Sequence, residues 1–425
     1  MPTAEGSAAA GNDESGALGS SDPPATGLPP APATHDDAVA IARTLAARLA
    51  TGAAERDRAG GVPWEALAQI DRSGLLSLTL PTVVDGPGLG APTLAEVVRL
   101  LAAADPAIAQ TLQPHFLFPT ALFELGVPHG RAKLAATILA GGRIGNAVAE
   151  RGGQHAQDFR TRLVHDAAGH PRLRGRKYYC TGAISSASIA VTAIDERDQQ
   201  ILAFVPRDAP GVTTTDDWSA MGQRATVSGT TTFDDVLVDP DLVIPYGELF
   251  EAPQTLGARA QLVHAAIEVG IARGALDDAA EFLRAKARPF FEAVRGGWAE
   301  RATDDPHTVH RFGELDVRVH AAEALLARAA QHLDEVPVRP DDPEHAAEAS
   351  IAVARAKAYG SEVAVLVASD LFALTGTSAA DEQYDLHRHW RNARTHSVHD
   401  PVAWKYHHIG AYGISGTLPP NHGQL

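Results

Sequence analysis

The chain is poor in sulfur: its 425 residues include one cysteine, Cys180, and two methionines. A single thiol closes no internal disulfide and supplies no zinc cluster, so nothing points to an oxidising compartment and the cytoplasm is the expected location. Positive charge is also short. Lys and Arg number 36 against 52 Asp and Glu, a net charge of −16, which argues against a polyanion held through phosphate contacts and so against a nucleic-acid partner. No run of about 18 apolar residues marks a membrane span. With 45% hydrophobic residues the composition is that of a globular protein, long enough for two to three domains and a sizeable core.

Residues 1–34 are mostly Ala, Gly, Ser, Pro and Thr, with Met1, Leu18 and Leu28 the large apolar side chains. They cannot offset the entropy of ordering, and acidic Glu5, Asp13, Glu14 and Asp22 stand where a secretory leader needs a basic start, so a disordered tail is expected. Residues 35–142 read as helical: Asp36 and Asp37 favour a helix start, Gly60-Gly61 a stop, and further helices are expected near 63–72, 93–103 and 119–125. Between 143 and 250 the β-formers come in short runs, such as Ile189 to Ile194 and Ile201 to Val205 around the polar turn Asp195 to Gln199, which predicts a small antiparallel β domain. Long helices return over 251–425. Phe312, Leu315, Val319, Ala322, Leu326, Ala329 and Leu333 step by three and four, as do Ile351, Ala354, Ala358, Ser361, Val365, Ala368 and Phe372. Two such seams predict antiparallel bundle packing. Start signals precede each, at Asp304-Asp305-Pro306 and at Pro343. A further helix near 256–286 places Val263, Ile267, Gly270 and Gly274 on one face, where glycines admit a close neighbour. The fold class is α+β: helical domain, β domain, four-helix bundle.

One apparent nucleotide signal fails on spacing. A possible strand over Leu75 to Leu80 leads to Gly86-Pro-Gly88-Leu-Gly90, but this is GxGxG and no second strand with an acidic end follows, so a turn is the better account and no nicotinamide fold is expected. The chemistry-bearing types gather near the C-terminus, where His387, His389, His396, His399, His407 and His408 cluster. His396, His399 and Asp400 would make part of a metal cage, but no fourth ligand stands at usable spacing, so no metal is expected. Cys180 lacks a resolving partner and reads as a buried spectator.

Three motifs in order carry a family resemblance: Gly74 to Pro81 (GLLSLTLP), Gly175 to Gly182 (GRKYYCTG), and Thr231 to Val238 (TTFDDVLV) followed by Pro240. Together with the helical, β, helical order they resemble the acyl-CoA dehydrogenase superfamily. Where many dehydrogenases of that superfamily have a catalytic Glu followed by Gly, this chain has Asp400 and Pro401 with His396 and His399 alongside. The stretch Trp390 to Pro401 (WRNARTHSVHDP), with Asp216 to Arg224 (DDWSAMGQR), Ala287 to Phe290 (ARPF) and Ala302 to Pro306 (ATDDP), is instead similar to the flavin-dependent monooxygenases of the superfamily, the group of dibenzothiophene and sulfur-acquisition oxygenases.

That resemblance implies a two-component enzyme: a separate flavin reductase supplies reduced FMN, with FAD the alternative, and a flavin C4a-hydroperoxide oxygenates a small organosulfur compound in a homotetramer. Such chemistry needs a proton donor near neutrality in a dry cavity. His396 and His399, at i and i+3 on a helix, are expected on one face as the acid/base pair, with Asp400 as orienting partner. His115, in an apolar setting, is carried over as a third catalytic group. For the cofactor the resemblance implies Asn146, Tyr179 and Thr181 at the flavin ring, Trp218 stacked on it, Ser228 and Arg288 at its phosphate, and Gly376, Thr377 and Ser378 in the cofactor-tail loop. Ser378 replaces the arginine of that loop in the group. The alternatives are desaturation of a CoA thioester, nitrogen hydroxylation by the same oxygen chemistry, and an idle ligand-binding oligomer.

Overall fold

The computed structural model describes residues 30–153, 158–335 and 342–423; most of the expected tail lies outside them. Thr34 is the N-cap of the first helix, its hydroxyl accepting from Asp37 N–H at 3.1 Å. The helical start is α1 (His35–Ala50), α2 (Ala53–Ala59), α3 (Trp64–Asp71), α4 (Ala91–Ala104), α5 (Pro106–Thr111), α6 (Gln113–Leu125) and α7 (Pro128–Leu139). Residues Leu75–Ser77 form a 3-10 turn, not a strand, which removes the apparent nucleotide-binding start. The expected helix start at Pro119 is also corrected: α6 begins at Gln113 and carries Pro119 inside it. Two helices the pattern did not separate, α5 and α7, follow an Asp-Pro and a Val-Pro step. Asp105 caps α5, its Oδ1 accepting from Ala107 N–H and Ile108 N–H at 3.2 Å each.

The central strands are β1 (Ile144–Ala147), β2 (Arg162–His165), β3 (Pro171–Cys180), β4 (Ser188–Ile194), β5 (Gln200–Pro206), β6 (Val212–Thr215), β7 (Gly229–Leu237) and β8 (Val243–Ile244). They form one sheet in the order β6-β7-β3-β2-β4-β5-β8, with β1 also paired to β4. The expected hairpin is present, Ile194 opposite Gln200, closed by Asp195 Oδ1 accepting from Arg197 N–H and Gln199 N–H at 2.8 Å. The sheet is not purely antiparallel, because β1 and β2 both run parallel to β4. That parallel pairing places Asn146 of β1 beside the end of β3, where its N–H donates to Thr181 O at 3.1 Å.

The remaining helices are α8 (Leu256–Ala285), α9 (Phe291–Arg295), α10 (Pro306–Glu335), α11 (Pro343–Thr375), α12 (His387–Ser397) and α13 (Val402–Ser415). Asp305 and Asp342 cap α10 and α11, accepting from His307 N–H at 2.9 Å and His345 N–H at 3.3 Å. On α10, Leu315, Val319, Ala322, Leu326, Ala329 and Leu333 are buried, as the seam requires. Helix α11 is buried on more than its seam, since Val353, Lys357, Gly360, Ala364 and Leu371 are also covered. By length and mean hydropathy α11 would cross a membrane, but it lies inside the bundle with a buried lysine at mid-length. One apolar core joins the first helices to the bundle. The contact of α4 with α8 explains it: a Cβ on Gly274 would stand 2.2 Å from Ala103 O, so only glycine lets the two backbones meet there.

Candidate active site

Where β3 ends, the chain turns through unfavourable backbone around a buried row of hydroxyls. Tyr179, Gln223 and Val227 adopt φ of +57°, +53° and +48°, left-handed values that cost side-chain-bearing residues, a β-branched valine most of all, and that gather at functional sites. Thr181 Oγ1 and Thr226 Oγ1 each lie 2.9 Å from Ser228 Oγ, and Thr226 Oγ1 donates to Gln223 O at 2.9 Å. Trp218 Nε1–H donates to the same carbonyl at 2.8 Å, and its indole meets the Tyr179 ring edge-on at 6.1 Å. The structure thus brings together Asn146, Tyr179, Thr181, Trp218 and Ser228. Among the described residues, Asn146 Oδ1 and both amide atoms of Gln223 are buried without a partner. Unpaired buried polar atoms are costly. Together with the hydroxyl row they fit the carbonyl and N–H edge of a flavin ring.

Helix α5 packs against the 3-10 turn Arg224–Thr226 on one side and α8 on the other, and through Gln110 it reaches a second, imidazole-rich group. His396 of α12 is 3% exposed. Its Nδ1 lies 3.0 Å from Glu268 Oε1. A carboxylate only accepts, so Nδ1 carries the proton. Its Nε2 lies 3.2 Å from His264 Nδ1 and 3.1 Å from Gln110 Oε1. Glu268, fully buried on α8, also accepts from Lys357 Nζ at 2.5 Å and from Ser361 Oγ, both on α11. The expectation that His396 and His399 share a helix face is corrected: α12 ends at Ser397, and the His264 ring stands between them. It lies 4.2 Å from the half-exposed His399 ring at an interplanar angle of 35°. Asp400 touches His399 rather than His396, with Nδ1 to Oδ1 at 3.4 Å, and faces Lys405 Nζ at 3.1 Å and Lys357 Nζ at 3.9 Å.

Burial, helped by His399 and His396, pushes the basicity of His264 well down. Burial lowers His396 too, against the pull of Glu268, so both rings are neutral near pH 7. Burial pushes Glu268 up, but Lys357 and His396 outweigh it and hold the carboxylate below its usual range. Asp400 is pushed up by burial and held far below by His399, Lys357 and Lys405. Both carboxylates are therefore ionised and engaged, which makes them poor proton abstractors.

His115 does not join this group. Its Nε2–H donates to Leu76 O at 2.7 Å, its Nδ1 accepts from Ile144 N–H at 3.2 Å, and burial pushes it down to about 4. With both nitrogens held by backbone, the ring braces β1 behind Asn146 and has none free for the catalytic role expected of it. Arg288 is exposed beyond α8, and Gly376, Thr377 and Ser378 are exposed where α11 ends. At about 1.5 Å per residue Thr375 stands about 21 Å along α11 from Ser361, and Ala285 at the end of α8 about 31 Å from His264, so these four residues lie away from the imidazoles within one chain. The Cys180 thiol is buried and pushed up to about 11 by that burial, which makes it inert. No group of three or more metal-ligating side chains occurs among the described residues. Gln110, His264, Glu268 and Lys357 escaped the sequence reading and Ser361 entered it only as a seam position; for His264, Glu268 and Lys357, ionisable side chains at core positions of two long apolar helices were the available signal.

The N-terminal, middle and C-terminal domains of acyl-CoA dehydrogenase match residues 34–142, 147–236 and 262–404. A dibenzothiophene monooxygenase of Rhodococcus erythropolis is 35% identical over 405 residues, 92% of this chain and 96% of its own length. An FMN-bound crystal structure of the Paenibacillus sp. A11-2 dibenzothiophene monooxygenase superposes with a TM-score of 0.86 at 30% identity, covering 91% of this chain and all of that one. A methanesulfinate monooxygenase of Pseudomonas fluorescens gives 0.83 at 30% identity, covering 91% and 99%. The chain therefore belongs to the acyl-CoA dehydrogenase superfamily and, within it, to the family of the dibenzothiophene monooxygenases.

Proposed function

We propose that this protein is the oxygenase of a two-component flavin system that adds oxygen to a small organosulfur compound. The carrying observation is the imidazole group of buried His264 and His396 with half-exposed His399, in which both neighbouring carboxylates are tied up by lysines. Such a site gives and takes protons through imidazole and lacks the free carboxylate base that desaturation needs. FMN, carried by a relative of 30% identity, is the cofactor; bound in reduced form with O2, it supplies the oxygen that is transferred.

The chain's own residues then do the rest. Asn146, Thr181 and Ser228 hold the polar edge of the ring, and Trp218 with Tyr179 packs at its margin. His396 holds a proton at Nδ1 against Glu268 and exchanges one at Nε2, while Asp400 orients His399. Helices α5, α8, α11 and α12 exclude water from His264 and His396. Since no nicotinamide fold is present in the sequence pattern, reduced flavin comes from a separate reductase, in the cytoplasm. A homotetramer accounts for Arg288 and the loop Gly376 to Ser378: exposed at one end of a protomer, they serve the phosphate of a flavin held by a neighbouring copy, where a guanidinium fork suits phosphate.

The test is to supply the purified protein with FMN, a flavin reductase, NADH and 18O2, and to offer dibenzothiophene and methanesulfinate. One 18O atom in the product, dependent on reduced FMN, is the expected result. Desaturation of a CoA thioester without O2, and no labelled product, would reverse the assignment.

A further inference from the structure

We propose that His264 is a positioning residue acting through His396: it fixes the hydrogen-bonding state of the His396 ring and passes protons between it and the open side of the site. This rests on the oxygenase reading above. His264 is 2% exposed on α8, in a helix whose other buried positions are almost all apolar, and an imidazole there requires partners. They are His396 Nε2, 3.2 Å from its Nδ1, and the His399 ring against its face at 4.2 Å. The charged and titratable groups facing it are His396 from α12, His399 and Asp400 from the segment after α12, and Lys357 from α11. Glu268 lies one turn away on its own helix, hydrogen-bonded to His396.

The proton count follows from the donors. Because Glu268 takes the His396 Nδ1–H, the neutral His396 ring has its lone pair at Nε2, and His264 meets it with Nδ1–H. A proton arriving at His264 Nε2 lets the Nδ1 proton move to His396 Nε2. His264 ends neutral as the other tautomer, with hydrogen on Nε2, and His396 becomes an imidazolium paired with Glu268. One proton enters, one is passed on, and no other bond changes. Gln110 Oε1 faces His396 Nε2 at 3.1 Å, which suits the protonated ring, and turning the carboxamide end for end offers its NH2 group to the bare Nε2. His399, half exposed and tilted at 35° against the His264 ring, places the entry side towards solvent.

The test uses the full chain labelled with 15N-histidine, with and without FMN. The expected spectrum shows His264 as the Nδ1–H tautomer at pH 7.5 and the His264 and His396 nitrogens moving together through one midpoint as pH falls, because they share one proton. A His264 Nε2–H tautomer, or two independent midpoints, overturns the proposal. In the oxygenation assay His264→Asn, which keeps a donor at the Nδ1 position but passes no proton, lowers turnover at least tenfold, and imidazole buffer restores it as its concentration rises. Wild-type turnover in His264→Asn, or a loss that imidazole buffer leaves unchanged, also overturns it. If the wild-type protein oxygenates nothing, the oxygenase reading fails by itself, and the tautomer and shared midpoint still decide the proton exchange.

Discussion

Lys357→Met probes the electrostatic centre of the site. The lysine and Glu268 are both fully buried and meet at 2.5 Å, and the substitution keeps the stem while removing the charge. Breaking a buried pair by deleting one partner costs about 3–5 kcal/mol, because the other charge is left uncompensated. Glu268 keeps the Ser361 hydroxyl and the His396 Nδ1–H, so the lower end, about 3 kcal/mol, applies at pH 7.5. Adding Glu268→Gln removes both charges and brings the cost down to about 1 kcal/mol or less, so the second substitution recovers about 2 kcal/mol of what the first one lost. Guanidinium denaturation followed by helical circular dichroism measures both. The pH dependence has a defined sign. Lys357 now lowers the basicity of His396, so its loss raises it, and the folded variant takes up a proton that the folded wild type refuses. Acidification from pH 7.5 to 5.5 then costs the variant less stability than the wild type, and the gap between them narrows. Equal costs for the single and double variants, or a gap that widens in acid, would refute the reasoning.

Other consequences are open to measurement. His115, held at about 4 against an ordinary 6.5, makes the unfolded chain bind the extra proton between those values, so it removes about 3 kcal/mol of stability as pH falls from 6.5 to 4; His115→Asn flattens that limb of a stability-against-pH curve. Gly274→Val drives α8 from α4, because its Cβ would stand 2.2 Å from Ala103 O, and lowers stability by about 3 kcal/mol in the same denaturation assay. Thr181→Val removes one hydroxyl of the Thr181, Ser228, Thr226 row and weakens FMN binding about fivefold by fluorescence titration, about 1 kcal/mol. His396→Ala lowers the rate of oxygenated-product formation about a hundredfold, the usual worth of a positioned acid or base, with FMN affinity unchanged.

Features set by neighbours in the chain were readable in advance. The three-four spacing of Leu315, Val319, Ala322, Leu326, Ala329 and Leu333 named the buried stripe of α10, because helix period alone decides which side chains share a face. Asp305 and Asp342 announced their helices, because a cap bonds within three residues. The turn from Asp195 to Gln199 was equally local. Local reading failed where a single residue outvoted the pattern: Pro119 sits within α6, and α12 stops before His399.

The amino-acid order by itself determined the helical, β, helical sequence of elements, the seams of the bundle and the motifs that carry the family, since each rests on short-range periodicity or on runs of residues. Only tertiary packing decided the site. Gln110, His264, Glu268, Lys357 and His396 come from four different helices, and their meeting depends on how those helices cross, on the glycine contact that draws α4 to α8 and on the burial that makes each charge need its partner.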